Sequence, residues 1–508
     1  MNQGIMNSFR GVSCVIMRVV LILLVNIGYL NFSHAGDIGW SGYYRAEGIF
    51  IKNLTLDKNA GIENSYILNH LVLKPKIIAT DGLNIKARFD IFNNSISNNQ
   101  AGAPLGDYSG TQTSSTSTQG TPSAIQSTAQ ESQTIAVNEL YMDWIHEFGA
   151  LVIGRVPFEF GLGMAYNAGN GPFDHWLSTK DLVAYKIVMG NITITPAYGK
   201  VRESALTSED DINDYIVTAE YSNPETDFAM GFLFDSRVAP RDAGTPSRGN
   251  DFPASNFGSA AQPAILYDGY QAYNMNFFVK KNTDNFNLGA ELGFLNGYSG
   301  VKIQTPSGLE RVEMSGFGLA GQFGYRTGSL TLNLLAGVAS GDDPDTARFE
   351  GYFFSPNYDI AMMMFNHALG QYDLLKTNMA GSRVAQVAGV SNPASRVSEL
   401  GGLDTEVISN AIYFAPNIKL ALGEKYDLLG TVAYATLQKP ATSAANGNVG
   451  NSIGFEADLG INYHPTDKFM WSTTMGFLFP GSAWTGTPGQ NFRNDFAYGL
   501  TSKAAINF

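Results

Sequence analysis

The sequence has little cysteine, little charge and no long apolar run, and each shortage excludes a class of protein. Among 508 residues the one cysteine is Cys14, which excludes a disulfide framework and a cysteine metal site. Charged residues make up 15%, and 45 acidic residues outnumber 32 basic ones, which argues against nucleic acid as a partner. No stretch beyond the amino-terminal region has the roughly 18 apolar residues of a spanning helix, which excludes a helical membrane protein.

Residues 1–35 have the pattern of an export signal. Arg10 and Arg18 stand before or at the start of a short apolar run, and residues 33–35 supply small side chains at the cleavage positions. The alternative, a membrane anchor, is disfavoured because the apolar run is short. We therefore predict a cleaved signal peptide and a mature domain, residues 36–508, that crosses an oxidising periplasm without a cysteine.

From residue 38 onward, apolar and polar residues alternate in segments typical of β-strands. One segment shows the pattern best, with Leu83, Ile85, Ala87, Phe89 and Ile91 on one face and Asn84, Lys86, Arg88 and Asp90 on the other. A basic side chain facing lipid at mid-membrane costs about 2–4 kcal/mol, so the apolar face must point outward and the charged face inward. The pattern therefore indicates a barrel with lipid outside and water inside.

The alternating segments number eighteen, and their connections alternate between tight and long, as expected for a barrel with a periplasmic and an outer face. They cover about 38–51, 65–79, 82–93, 134–145, 149–158, 180–189, 192–201, 211–222, 227–238, 264–281, 285–297, 311–326, 329–340, 405–422, 425–437, 452–464, 468–480 and 494–508. Trp40, Trp144 and Trp471 fall at predicted periplasmic strand ends, where an aromatic girdle is expected. We predict an all-β, eighteen-stranded antiparallel transmembrane barrel in the bacterial outer membrane, with short periplasmic turns and long extracellular loops.

The chain ends in Phe508, at the end of a segment that alternates back to Phe496. A barrel must join its last strand to its first, because an open sheet edge is not tolerated in lipid. We predict that Phe508 is the assembly signal, with the outer-membrane insertion machinery and outer-membrane lipid as partners.

Two long connections hold most of the irregular sequence. Residues 94–133 are rich in Ser, Thr, Gln and Gly and are predicted to form a mobile outer loop. Residues 341–404 include the apolar stretch 361–365, which has enough apolar residues for a short helix. This longer connection either caps the mouth, folds into the pore, or is a surface elaboration without a gating role.

The inward parity carries both signs of charge, and these residues are the predicted pore lining. Opposed basic and acidic walls would orient small polar solutes, although pairs such as Arg155 with Glu139 or Asp143 would instead neutralise one another in a crowded barrel. The predicted lining comprises Arg45, Lys74, Lys76, Lys86, Arg88, Glu139, Asp143, Arg155, Glu220, Asp235, Glu291, Glu456 and Asp458.

Sites of other kinds receive weaker support from the sequence. Asp342, Asp343 and Asp345 could hold a divalent cation, but the residues that would complete a calcium loop do not follow, so a solvated acidic loop is the preferred interpretation. The histidines are scattered without an adjacent nucleophile, which disfavours an enzyme, and no cofactor is predicted. A TonB-dependent transporter would need a plug domain ahead of the first strand. The first predicted strand begins just after the signal peptide, which disfavours that class.

Several motifs resemble the alginate-export family of outer-membrane channels, a porin-like group of eighteen-stranded barrels. The motif 454–459 with Tyr463 and then 479–481 is similar to that family's last hairpin, and 340–343 is similar to its long-loop entrance. Gly154-Arg155, with Gly161 and Gly163 after it, is similar to its glycine-arginine strand. The resemblance implies passage of a solute through a barrel. The mixed inward charge disfavours a long polyanion such as alginate.

These observations predict a porin-like channel for passive passage of small polar or charged solutes, with saccharides among the candidates. The alternative is a receptor or adhesin that acts through its loops, or a structural outer-membrane protein with a plugged barrel. The sequence leaves the solute and the oligomeric state open.

Overall fold

The fold is known from a computed structural model. The structure describes residues 38–59, 63–96, 135–202, 212–238, 265–267, 271–305, 308–343, 346, 348–367, 369–370, 407–440, 450–486 and 492–508. The predicted signal peptide, residues 1–35, lies outside the described residues, and so does nearly all of the predicted loop 94–133.

Antiparallel strands form one closed sheet, as predicted. The first nine are β1 (Ile38–Lys52), β2 (Glu63–Thr80), β3 (Leu83–Ile96), β4 (Ile135–His146), β5 (Gly149–Pro157), β6 (Thr179–Met189), β7 (Ile192–Arg202), β8 (Ile212–Asn223) and β9 (Phe228–Val238). The others are β10 (Ile265–Tyr267), β11 (Gln271–Asn282), β12 (Phe286–Thr305), β13 (Gly308–Thr327), β14 (Leu330–Ala339), β15 (Ala411–Leu422), β16 (Tyr426–Leu437), β17 (Ser452–Thr466), β18 (Phe469–Pro480) and β19 (Ala497–Asn507). The short β10 pairs with β12 beyond β11, so these two segments share one position and the barrel has eighteen strand positions.

The first and last strands close the barrel. β1 pairs with β19 from Tyr43 opposite Asn507 to Lys52 opposite Tyr498. Beyond this ladder, the N–H of Phe508 donates to the carbonyl of Gly42 over 3.0 Å, and the N–H of Gly42 donates back over 3.2 Å. The predicted closing role of the carboxy-terminus is thus confirmed in geometry.

Connections of two to four residues cluster at one end of the barrel, which we call the tight-turn end. They are 81–82, 147–148, 190–191, 224–227, 283–285, 328–329, 423–425 and 467–468. The strict alternation predicted from the sequence is wrong at one place, because β12 and β13 continue to Thr305 and Gly308 and are joined at the opposite end by only two residues. Their pairing extends the sheet through residues that were predicted to be loop.

The outer surface is apolar and the inner surface is polar along most strands. Exposed residues on the outer face include Ile85, Leu140, Phe455 and Leu459, whereas their strand neighbours of opposite parity are buried polar groups. Trp40, Trp144 and Trp471 are exposed near strand ends at the tight-turn end, as predicted for a girdle. Among the described residues, no helix is long and apolar enough to span a membrane.

Two connections fold into the barrel, and they determine where its core lies. Inner segment A is residues 158–178, between β5 and β6, and inner segment B is the described part of residues 340–370, between β14 and β15. Residues 361–365 of segment B form bends and turns, so the predicted short helix is wrong there. An apolar cluster that includes Leu56, Met363 and Trp484 fills the lumen near the long-connection end.

Candidate functional site: the narrowed lumen

Basic residues of the predicted lining, on strands β1 to β3, hold inner segment A in the lumen. The Arg45 guanidinium donates to the carbonyl of Asp174, and Arg88 Nη1 donates to the carbonyl of Gly169 over 2.9 Å. Lys74 Nζ lies 2.8 Å from the side-chain oxygen of Asn170. Three predicted pore-lining residues therefore face inward but contact main-chain and side-chain oxygens of the segment.

Arg88 belongs to a buried network of charged groups. Its Nε lies 3.0 Å from Asp90 Oδ2, and His70 Nε2 lies 2.7 Å from Asp90 Oδ1. The side-chain amide of Asn138 also donates to Asp90, over 2.7 Å. Glu139, a predicted lining residue, is buried with its carboxylate 3.8 Å from Arg88. Removing one partner from such a network would leave a buried charge unpaired, which is strongly unfavourable. The network therefore holds these side chains in place on the wall of the barrel.

A second buried network joins strands β6, β8 and β9. Lys180 Nζ lies 2.7 Å from carboxylate oxygens of both Asp214 and Asp235. Arg237 pairs with Asp214 over 2.8 Å, and the Tyr166 hydroxyl of segment A donates to Asp235 over 2.7 Å. The predicted lining residue Asp235 is therefore shared between a wall lysine and the inner segment.

Glu291 on β12 anchors segment A from the other side. Its Oε2 accepts the main-chain N–H of Leu162 over 2.7 Å and that of Met164 over 3.2 Å. Gly161 has a φ of +59°, and a Cβ at that position would lie 2.6 Å from the same carboxylate oxygen. The glycine thus permits the close approach of the chain to the wall.

Glu456 and Asp458 on β17 anchor segment B in the same manner. Glu456 Oε1 and Oε2 accept the N–H groups of Met363 and Met364, each over 2.7 Å, and Asp458 Oδ2 accepts that of Met362 over 3.0 Å. Both carboxylates are buried. Two wall side chains thus hold three consecutive main-chain amides of segment B.

The two inner segments are also bonded to each other. The side-chain amide of Asn357 donates to the carbonyl of Trp176 over 2.9 Å, and its Oδ1 accepts the N–H groups of Trp176 (3.1 Å) and His175 (3.2 Å). The N–H of Ser355 donates to the carbonyl of Met164 over 2.6 Å. Segments A and B therefore form one partition across the lumen.

The predicted position of Arg155 in the pore is wrong. Arg155 lies opposite Leu140 on β4 and Asp181 on β6, and the next outward pair along the strands is Ile153 with Val183. Those apolar residues are exposed on the outer face, so Arg155 points outward too. It forms a bidentate pair with Asp181, with both contacts at 2.7 Å. A β-strand alternates sides at each residue, and the prediction assigned Arg155 to the wrong side.

The remaining predicted lining residues border the lumen near the tight-turn end. Lys86 Nζ lies 2.6 Å from Asp143 Oδ2, and both face inward. Lys76 lies opposite Lys86 and is exposed to the lumen, as is Glu220 on β8. Their role in permeation stays a prediction, as it does for the buried members of the predicted set.

Two cavities lie beside the partition in the half of the lumen nearer the tight turns. One, of about 370 Å³, is lined by residues of β11 to β15 such as Asn287 and Gln322. The other, of about 340 Å³, is lined by Asp359 of segment B, by Lys503 of β19 and by residues of β15 to β18. The two cavities share Leu335 and Asn417 in their lining, so they adjoin.

Titratable groups of the inner segments border the second cavity. Desolvation inside the barrel raises the pKa of Asp359 to about 7, although its side chain is exposed to the cavity, and nearby Lys503 opposes this shift. Desolvation lowers the pKa of His367 to about 3. Desolvation also lowers the pKa of His175, although Glu47, which lies 2.8 Å from its Nε2, acts in the opposite direction. Both histidines are therefore neutral at pH 7, whereas Asp359 titrates near it.

The acidic stretch considered for a cation has protein partners. Asp342 is buried, and its Oδ1 accepts the N–H of Glu350 over 2.7 Å. Asp343 pairs with Lys439 over 3.5 Å. Asp345 lies outside the described residues, and within the described part of the chain no group of three or more potential ligands is close enough to hold a metal ion.

Sequence reasoning missed inner segment A, although the chain carries a signal for it. Gly161, Gly163 and Gly169 all have positive φ, between +59° and +78°, a conformation that glycine adopts without strain. A dense run of glycines directly after a strand indicates a chain that turns back sharply. Gly161 and Gly163 enter the sequence-based predictions only as part of a family motif, and Gly169 does not enter them.

The chain resembles known barrels in architecture. It is similar to OccK9 (OpdG) of Pseudomonas aeruginosa, with 10% identity and a TM-score of 0.47 over 92% of this chain and 98% of that one. OpdQ of the same species gives 9% identity and a TM-score of 0.47 over 93% and 98%. OmpT, an outer membrane protein of Vibrio cholerae, gives 8% and 0.38 over 94% and 100%. Similarities of this strength say nothing about what this barrel transports.

No protein-family model matches the chain, and no curated protein matches it. The resemblance to alginate-export channels therefore stays a prediction. The location follows from the molecule itself, because a closed antiparallel barrel with an apolar outer face is the form in which β-sheets span bacterial outer membranes. The protein lies in the bacterial outer membrane.

Proposed function

We propose that the protein is a passive channel for small polar solutes, with a constriction built by inner segments A and B. One observation carries the proposal: next to the partition, the lumen keeps two adjoining cavities of about 370 and 340 Å³ that are lined by polar side chains. A barrel whose interior served only as a core would fill this space with packed side chains. The proposed activity has no chemical step.

The charges of the lumen support small solutes over long polyanions. Arg45, Arg88 and Lys180 are each paired with or bonded to protein groups, so these inward cations are not free to contact a passing chain. A polyuronate would need a continuous row of such cations. The resemblance to alginate-export channels thus supports passage of a solute through the barrel. We do not propose alginate as that solute.

A plugged barrel is the second candidate, and a specific observation favours it. The apolar cluster at the long-connection end joins wall residues such as Ile51 and Leu437 to Met363 and Met364 of segment B, all of them buried. A cluster of this kind would close the outer mouth if it extended across the whole lumen. The protein would then act through its outer surface, as a receptor or adhesin.

Single-channel recording distinguishes the two candidates. The mature protein, purified and shown to be folded by its heat-modifiable mobility on gels, is inserted into planar bilayers in potassium chloride. Steady ohmic steps support the channel, and the reversal potential across a salt gradient gives the sign of its selectivity. Folded protein that inserts without conducting would contradict the channel and favour the plugged barrel.

A further inference from the structure

The inward wall of β13 to β18 carries uncharged hydrogen-bonding side chains near the middle of the strands. They lie on β13, β14, β15, β16 and β18, and each of them lines at least one of the two cavities. We call them the neutral track, and its members are Gln322, Asn333, Asn417, Thr431, Ser472 and Thr474. β17, between β16 and β18, carries Asp458 opposite Thr431 and Gly460 opposite Thr474 instead.

The strand register shows that the neutral track is continuous from β14 to β16. Asn333 lies opposite Asn417, and Asn417 lies opposite Thr431. The side-chain amide of Asn333 donates to Asn417 Oδ1 over 2.8 Å. All three side chains are only partly buried, so they keep hydrogen-bonding capacity toward the lumen.

The opposite wall differs in charge and in accessibility. There the inward residues are charged groups such as Arg88, Asp90 and Lys180, which are buried and paired with one another. Lys280, which borders the first cavity, lies over the ring of Phe278 at 5.5 Å. The neutral track therefore supplies uncharged polar groups that a solute in the cavities meets directly, beside a few charged residues such as Lys280 and Lys503.

Charged groups at the second cavity are largely balanced. Lys503 lies 3.3 Å from the Glu47 carboxylate, and the Asp458 carboxylate accepts the N–H of Met362. Asp359 is the remaining acid at this cavity, and its pKa of about 7 leaves it partly protonated at neutral pH. An anion entering the cavity would meet Lys503, which is already paired with Glu47, and a cation would meet only the partly ionised Asp359. An ion would therefore lose water for little compensating charge, which is unfavourable.

Apolar side chains interrupt the polar lining. Leu335 lies between the two cavities, and Leu429, Ile49 and the ring of Phe173 border the second one. Binding sites for small molecules commonly combine an apolar lining with a few placed polar groups. A ligand that matches this surface has hydroxyl groups on its rim and carbon–hydrogen faces on its sides.

We propose that the neutral track selects uncharged polyhydroxylated solutes, in the size range of monosaccharides and disaccharides. Amide and hydroxyl side chains both donate and accept hydrogen bonds, so they can replace the hydrogen bonds that water makes to sugar hydroxyl groups. This inference rests on the proposed channel function and names its solute class. Charged analogues of the same size gain the same hydrogen bonds but keep the penalty of an unpaired charge.

The test compares uptake of radiolabelled glucose, gluconate and glucosamine into proteoliposomes, because these solutes have similar size and differ in charge. Two track variants, Asn417→Leu with Thr431→Val and the milder Thr474→Val, remove hydrogen-bonding groups. Thr473→Val is the matched control, since Thr473 is the strand neighbour of Thr474 on the outer face. Heat-modifiable mobility confirms that each variant is folded.

We expect glucose to enter wild-type vesicles faster than either charged analogue. Each track variant should slow glucose entry by about threefold or more, because losing one net hydrogen bond to the solute weakens its binding by roughly that factor. Gluconate entry should change less. Thr473→Val should match the wild type. Equal or faster entry of a charged analogue, or equal slowing of all three solutes, overturns the neutral track but leaves the channel intact. Folded protein that passes neither solutes nor salt overturns the channel and this inference with it.

Discussion

The main-chain N–H of Met363 donates to Oε1 of Glu456 over 2.7 Å, deep inside the barrel. Glu456 also accepts the next amide along the chain, so one wall carboxylate holds a turn of segment B by both its oxygens. Because these acceptors belong to the rigid sheet, the position of the constriction depends on the wall more than on the segment's own structure. Wall variants therefore provide the most direct test of it.

Substituting Glu456→Gln should loosen segment B. The amide nitrogen of glutamine would face a main-chain donor, so at least one hydrogen bond would be lost and a buried N–H left unsatisfied, at a cost of about 1–3 kcal/mol. We expect larger and noisier single-channel currents than in the wild type, with lower resistance of the folded barrel to urea. Glu424→Gln, at an exposed tight turn, is the control and should match the wild type in both measurements. An unchanged current in folded Glu456→Gln would show that segment B does not limit conduction.

Much of the fold follows from local alternation, which the sequence shows directly. The segment from Leu83 to Ile91 was predicted with the correct faces, and so was the pair of acids Glu456 and Asp458. In a barrel each residue's side is set by its parity alone, so a short stretch suffices. The extension of β12 to Thr305 was not predicted. It depends on pairing with β13, and the alternation within one strand does not indicate how far its partner extends.

The interior of the site could not be predicted in the same way. Inward charges such as Arg45 and Arg88 are recognisable from parity, but whether water or protein covers them depends on where distant loops return. Asn357 bonds to residues about 180 positions earlier, and no local pattern specifies such a contact. The sequence thus indicates the sign of the charges in the lumen, but it does not indicate whether they contact water or protein.

Arg88 and Arg155 should differ sharply in their contribution to stability. Arg88 is fully buried and bonded to Asp90 and to inner segment A, so Arg88→Ala leaves a buried carboxylate without its cation and should cost about 3–5 kcal/mol. Arg155 is about half exposed and pairs with Asp181 on the outer face, so Arg155→Ala should cost about 1 kcal/mol or less. Urea unfolding in lipid vesicles measures both. Similar losses for the two variants would contradict the buried network.

Ion selectivity should change with pH through Asp359. The folded-state pKa of this carboxyl is raised to about 7, so it is neutral below that pH and gains its negative charge above it. The cation-to-anion permeability ratio should therefore rise between pH 6 and 8, and Asp359→Asn should abolish the rise. For the same reason folding stability should fall as pH increases from about 4 to 7, since the folded state binds this proton more tightly.

Two features keep the assignment to Asp359 specific. His367 has a pKa lowered to about 3, so it does not change charge across the same interval, and the lowered pKa of His175 moves its titration away from pH 7 in the acid direction. Asp467→Asn, in the tight turn 467–468, removes an exposed carboxylate far from the constriction and should keep the wild-type pH profile. A profile that persists in Asp359→Asn would place the titrating group elsewhere.

Removing Phe508 should block assembly. The backbone of Phe508 makes two reciprocal hydrogen bonds with Gly42, and its exposed ring lies on the lipid face beside the seam between β1 and β19. Without Phe508, the seam between β1 and β19 loses its last two main-chain hydrogen bonds. Unpaired backbone groups in lipid are strongly unfavourable. We expect the deleted protein in the periplasm, measured by fractionation and by loss of the heat-modifiable band. Phe508→Tyr keeps the ring and the backbone bonds and should restore insertion, whereas normal insertion of the deletion variant would show that the terminal residue is dispensable.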